Sequence, residues 1–214
     1  IYAHSFAVGR AASVLCKIIA DEESDYFDDI AFIRNIKDIE EKRRIVIDYA
    51  FECGLLHDVG KMNFISLYSN AARQWFEDES EMAQLHTLVG KACLEKRSST
   101  SRCAAIALGH HGWYDGSRGY PNVYERLECE YRQMVDVIGL MDWLDNVTYN
   151  ESRIFRGVDK TFEEAREDAI ALDGKRFSPM LIARLREKKV SDVIKKALEE
   201  GRIEAYRNIY ELDN

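Results

Sequence analysis

Apolar residues recur every three to four positions along most of this chain, and strict alternation is scarce. That period marks amphipathic helices rather than strands. From His4 to Ala20, the residues Ala7, Val8, Ala11, Val14, Leu15, Ile18 and Ile19 form one stripe. A second helix is predicted over Ile39 to Leu56 through Ile45, Val46, Tyr49, Ala50 and Cys53, running into His57 and Asp58. Further helices are predicted over Met82 to Lys96, over Cys103 to His110, and from about Leu127 to Tyr149. Thr161 with Glu164 three residues on reads as a capping box. Ser178 before Pro179 reads as an N-cap with proline in the first helical position. From Ser191 onward the pattern is that of one or two amphipathic helices, able to pack on the same domain or on another subunit. Between these elements, Asp21 to Asp29 reads as a solvated acidic connection and Gly112 to Asn122 as a glycine-rich loop. No repeat or low-complexity segment interrupts the pattern, and the expected class is all-α.

Composition narrows the partners. With 214 residues, 46% apolar and 32% charged, the chain has the profile of one folded domain. Its 30 Lys and Arg against 38 Asp and Glu give a formal charge of −8, which argues against a broad basic face for polymeric nucleic acid or anionic lipid. An anionic substrate would therefore need local positive charge from a metal or a few placed cations. The longest unbroken apolar run, residues 103–108, falls far short of the roughly 18 residues of a spanning helix. Five scattered cysteines without a Cys-x-x-Cys pair read as small buried thiols in a reducing, cytoplasmic compartment. The first residues lack a signal-peptide pattern, and a start at Ile1 already in helical register is read as a fragment of a longer protein carrying an upstream regulatory domain.

The histidines carry the chemistry. His4, His57, His86, His110 and His111 each lie at or near the end of a predicted helix. His57 and Asp58 are adjacent, so one helix end presents an imidazole and a carboxylate together. His110 and His111 form a second adjacent pair before the glycine-rich loop. Asp142 falls within an apolar helix, where a buried carboxylate needs a partner or a cation. Imidazole and carboxylate ligands without thiolate suit Fe, Mn, Zn, Co or Ni. Such a surplus over the four donors of a tetrahedral zinc points to two ions, an arrangement suited to phosphoryl displacement. Asp136 reads as solvated, Trp143 as core, and Asp145 as a residue that holds a helix or a ligand histidine in place.

Six motifs in order resemble the HD superfamily of metal-dependent phosphohydrolases, and within it the HD-GYP branch. His57-Asp58-Val59-Gly60-Lys61 matches the superfamily signature, and His110-His111 with Asp115-Gly116 and Gly119-Tyr120-Pro121 resembles the branch's hallmark loop. His4 to Val8, His86 to Gly90, Met141 to Thr148 and Gly174 to Pro179 resemble the remaining motifs, and both prolines of the chain fall inside them. The resemblance implies an HD-domain helical bundle over residues 1–190 with a metal site in its core, followed by an amphipathic helical extension over 191–214. It implies a signalling phosphodiesterase that opens a cyclic dinucleotide of the cyclic di-GMP kind through a hydroxide activated by two divalent ions, Fe or Mn first, with Zn, Ni or Co as alternatives. His4, His57, Asp58, His86, His110, His111 and Asp142 would be ligands, Asp58 bridging. Asp58 and Lys61 would carry catalysis, and Lys61, Arg153, Arg156, Tyr120 and Trp113 would contact substrate, a small anionic nucleotide.

The loop departs from the family pattern. Gly112 stands where a Glu is usual, two residues, Ser117 and Arg118, separate the glycines, and Ser178 replaces an Asp. These changes touch the rim rather than the carried-over ligands. They leave open an HD-type hydrolase of another nucleotide or phosphomonoester, or an idle module used for signalling or protein interaction.

Overall fold

The first apolar stripe becomes α1 (Tyr2–Glu22), the axis of a helical bundle, in a computed structural model that describes residues 1–69, 74–149 and 159–210. The chain continues through α2 (Ala31–Arg34), α3 (Ile39–Leu56), a 3-10 segment (Val59–Phe64), α4 (Ile65–Ser69), α5 (Glu77–Gln84) and α6 (His86–Leu94). It then forms α7 (Ala104–Gly109), α8 (Arg132–Thr148), α9 (Phe162–Ala171), α10 (Pro179–Arg186) and α11 (Lys188–Tyr210). Among the described residues there is no strand, so the all-α expectation holds.

The stripe on α1 is buried because three long helices surround it: α3 and α11 most extensively, and α8 behind them. Leu15 and Ile19 are fully enclosed, and each contributes on the order of 1.5–3 kcal/mol by leaving water. α1 has the length and apolar character of a membrane span, but it lies inside this bundle and carries His4. α1 and α3 cross where Gly9 meets Gly54. A Cβ built on Gly54 would lie 2.4 Å from the Gly9 Cα, so only glycine permits this approach. The crossing brings His4 and His57 to a ring separation of 5.3 Å.

Local expectations are met where the signal is local. Thr161 accepts from the Glu164 backbone N–H, and the Glu164 carboxylate returns to Thr161, closing the capping box on α9. Ser178 and Pro179 open α10 as expected. The C-terminal segment is one helix, α11, laid along α1.

Several expectations are corrected. The helix expected over Met82 to Lys96 breaks at Leu85, whose ψ of −13° flattens the turn between α5 and α6. α8 begins at Arg132 rather than Leu127, which instead lies in a short 3-10 turn and is exposed. The acidic stretch is not simply solvated: Asp21, Asp28 and Asp29 pair with Arg43, Lys42 and Arg132, tying the connection to α3 and α8. Asp136 is also not on a solvated face. It is held by a two-pronged pair with Arg126, which opposes the burial that raises its pKa. Cys16, Cys53 and Cys103 are buried, whereas Cys93 and Cys129 are only half-buried, and all five are free thiols.

Candidate metal centre

Helix ends deliver the chemistry. His4 lies in the first turn of α1, His57 and Asp58 follow the last turn of α3, His86 opens α6, His110 and His111 follow α7, and Asp142 projects from the middle of α8. Two groups form. His4, His57, Asp58 and Asp142 bring one donor atom each within 4.8 Å of one another, and so do His86, His110 and His111.

Asp58 stands between the groups. Its Oδ2 lies 3.5 Å from both His4 Nε2 and His57 Nε2, while its Oδ1 lies 3.3 Å from His86 Nε2 and 3.7 Å from His110 Nε2. Asp142 extends the first group with Oδ1 at 3.1 Å from His4 Nε2, and reaches toward the second with Oδ2 at 3.8 Å from His111 Nδ1. Asn146 donates to Asp142 Oδ1 at 2.6 Å from one turn along α8.

Backbone contacts fix the tautomers. His57 Nδ1 donates to the Gly54 carbonyl at 2.6 Å, His86 Nδ1 to the Ala83 carbonyl at 2.6 Å, and His110 Nδ1 to the Ala107 carbonyl at 3.0 Å. The break at Leu85 lets His86 fold back onto the turn before it. His4 Nδ1 donates to Asp145 Oδ2 at 2.7 Å. Each of these rings therefore points its Nε2 inward, the orientation a ligating histidine needs.

Two of the inward atoms are left without a hydrogen bond. His57 Nε2 and Asp58 Oδ1 are buried without a hydrogen bond, a costly state in an empty interior. His86 Nε2 and His110 Nε2 face each other at 3.4 Å with both Nδ1 protons already committed. Two lone pairs so placed are stable only with a proton or a cation between them. This nitrogen and oxygen donor set fits a divalent transition metal.

Charge reinforces the arrangement. Burial would raise the Asp58 carboxyl, but Lys61, His57, His110 and His4 outweigh it and hold the pKa well below the carboxylate range. Asp142 is likewise lowered against its burial by His4 and His57. His4 is raised against its burial by Asp142, Asp145 and Asp58, whereas burial and His110 push His111 down.

A cavity of about 410 Å³ opens over the centre, lined among others by Lys61, Trp75, His86, His111, Tyr120, Asp142, Trp143 and Arg176. Tyr120 lies against the His111 ring, 4.5 Å between centroids. Lys61 is buried and directed onto Asp58. Trp113 is not in this wall. The loop closes on itself through the Trp113 N–H on the Arg118 carbonyl and the Gly116 N–H on the Trp113 carbonyl, and Trp113 lines a separate groove beneath Arg118. Trp143, expected as core, is half-buried and forms part of the cavity wall. Arg153 and Arg156 lie outside the described residues.

Three residues join the site without having been singled out from sequence. Arg202 on α11 pairs with Asp145 Oδ1, the carboxylate that holds His4. Arg176 stands in the cavity wall, and Asn146 steadies Asp142. Arg176 lies inside the Gly174-to-Pro179 motif and was open to notice there; Arg202 carries no local signal.

Glycine again sets the approach of elements. A Cβ on Gly60 would sit 1.9 Å from the His86 carbonyl and 2.7 Å from the Gly90 N, so the turn after Asp58 can touch α6 only with glycine at 60.

Residues 1–150 match the family model of the HD domain. A probable cyclic di-GMP phosphodiesterase of Vibrio cholerae serotype O1 is 38% identical over 84 residues, a match that covers 36% of this chain and 19% of that protein. The chain thus corresponds to a small part of that relative's length.

Proposed function

The chain belongs to the HD domain family of metal-dependent phosphohydrolases, and from that premise we propose that it opens a cyclic dinucleotide of the cyclic di-GMP kind at a two-ion centre. The observation that carries the two-ion reading is the placement of Asp58, one oxygen toward His4 and His57 and the other toward His86 and His110. Support for the substrate comes from the similarity to the Vibrio protein and from the HD-GYP-like run His110 to Pro121.

When bound, the metal supplies Lewis acidity at the phosphoryl group and lowers the pKa of water. The protein's own residues do the rest. Asp145, Gly54, Ala83 and Ala107 hold four imidazoles in one tautomer, so the donors need no rearrangement. Lys61 offsets the charge of Asp58 and keeps that carboxylate ionised. Tyr120 and Trp143 offer flat walls for a base. The proposed setting is a cytoplasmic signalling protein.

The altered loop favours one competing substrate class. Gly112 and the longer Gly116-to-Gly119 spacing reshape the rim, which suits a different nucleotide or a phosphomonoester. The decisive assay loads the protein with Mn²⁺ or Fe²⁺ and follows cyclic di-GMP, cyclic GMP-AMP, nucleoside mono- and triphosphates by chromatography. Linear dinucleotide product from the wild type, abolished by chelation and by Asp58→Ala, is expected. Turnover confined to a monoester or triphosphate replaces the substrate reading. Tight ligand binding without turnover by the fully loaded protein replaces the enzymatic one.

A further inference from the structure

Two cations line the described wall of the cavity over the metal centre, and they are in different states. Lys61 is ion-paired with Asp58, so its charge is already engaged inside the centre. Arg176 is half-buried, and among the described residues no carboxylate stands within ion-pair distance of its guanidinium. It rests instead on aromatic faces, 5.5 Å from the Trp143 ring centroid and 5.4 Å from that of Phe177.

Its position is fixed from several sides. Phe177 beside it is buried, and the backbone of the preceding turn is set by Gly174 at φ +69°. The glycine-rich loop clasps the same turn, with Tyr114 N–H donating to the Arg176 carbonyl at 3.1 Å and Asp115 N–H to the Lys175 carbonyl at 3.0 Å. An arginine stays charged at neutral pH and presents a planar fork of donors. Holding that fork away from water without an anion is unfavourable, and phosphate oxygens match its geometry.

We propose that, of the two cations in the described wall, Arg176 rather than Lys61 receives the phosphate charge of the substrate, on the cavity side formed by Trp143 and Tyr120. The inference rests on the reading that the cavity takes a phosphate ester, and it assigns the specificity for that group to a residue outside the ligand set. Lys61 then serves the centre itself, by keeping Asp58 ionised and oriented.

The test separates charge recognition from packing. Affinities of 5′-GMP and of guanosine for the metal-loaded protein are measured by calorimetry for the wild type, Arg176→Met, Arg176→Lys and Lys61→Met, with metal content determined in parallel. Arg176→Met is expected to weaken 5′-GMP by about ten- to hundredfold, the size of a lost charge-assisted contact, and to leave guanosine within about twofold. Arg176→Lys should restore part of the loss, and metal content should match wild type in both. Lys61→Met should instead lower metal content. Equal weakening of both ligands assigns Arg176 to packing and overturns the proposal. So does unchanged 5′-GMP binding, loss of metal from Arg176→Met, or a wild type that does not prefer 5′-GMP to guanosine. None of these readings needs turnover, so failure to hydrolyse any cyclic dinucleotide would count against the proposed substrate alone.

Discussion

Replacing Asp145 with Ala should damage the protein twice, and the two effects can be separated. Asp145 is 1% exposed and joins two partners, accepting from His4 Nδ1 at 2.7 Å and pairing with Arg202, itself 9% exposed. Removing the carboxylate strands the Arg202 guanidinium, still seated over the Tyr149 ring, with no anion. An uncompensated buried charge of this kind costs about 3–5 kcal/mol. In a domain of this length that lowers Tm by roughly 6–20 °C. Independently, His4 loses the acceptor that fixes its tautomer, and losing such a partner lowers metal affinity by about 10- to 100-fold. The double variant Asp145→Ala with Arg202→Met removes the stranded charge, so it should regain most of the Tm while metal affinity stays low. Thermal unfolding of the metal-free proteins reads the first effect, and competition with a chelator of known affinity reads the second. If Asp145→Ala binds metal as tightly as wild type, the orientation argument fails. If the double variant is no more stable than the single one, the stranded-charge argument fails.

Gly60→Ala would force the His86 carbonyl, 1.9 Å from the new Cβ, to retreat by well over 1 Å. Activity should fall by about 100-fold, as a misplacement of that size does, and metal should leave the His86, His110 and His111 group first, read by metal content per chain. The native protein should react at Cys93, and more slowly at half-buried Cys129, whose pKa burial raises. Cys16, Cys53 and Cys103 should react with a thiol reagent only after denaturation. Acid should unfold the metal-free protein through Asp58 and Asp142. Their folded pKa values lie below the unfolded ones, so the stability they contribute is present above about pH 4 and is lost as pH falls through the folded values. Asp142→Asn should therefore lose less stability than wild type between about pH 4 and 2 in urea titrations at fixed pH.

What was legible in the sequence was what residue type and adjacency fix by themselves. His57 beside Asp58 and His110 beside His111 must emerge together from one helix end, and each does. The capping box at Thr161 and the proline start at Pro179 needed only neighbours three residues away. Contacts across the bundle were not legible. Arg202 reaches Asp145 from 57 positions away, and the amphipathic pattern around it does not say which partner its helix packs against. The break at Leu85 was hidden because the apolar period runs through it unbroken. Asp136 belongs to no motif and so reads as solvated, because its partner Arg126 lies ten residues earlier, ahead of the predicted helix, at a spacing that carries no local signal. The loop's resemblance puts both Tyr120 and Trp113 at the substrate; the loop's own hydrogen bonds bring Tyr120 into the cavity wall and Trp113 into a neighbouring groove, a division its sequence does not show.

The acidic balance of the chain takes on a different meaning at this site. The formal charge of −8 is spread over the whole molecule, whereas a substrate in the cavity meets charges at close range and out of bulk water. There Asp58, Asp142 and Asp145 face Lys61, Arg202 and Arg176, three carboxylates against three cations. In the metal-free centre these carboxylates are matched by the cations and by His4, whose charged form Asp142, Asp145 and Asp58 favour, so little net charge is left to attract a phosphate. Each divalent ion added to that donor set leaves an excess of two positive charges. Distant surface carboxylates are screened within about 8 Å at physiological ionic strength, while charges inside the cavity are screened far less. The same ligands that make metal binding favourable thus make phosphate binding conditional on it. A protein that would repel a polyanion along its surface can hold a small one at the single place where the local sign is reversed.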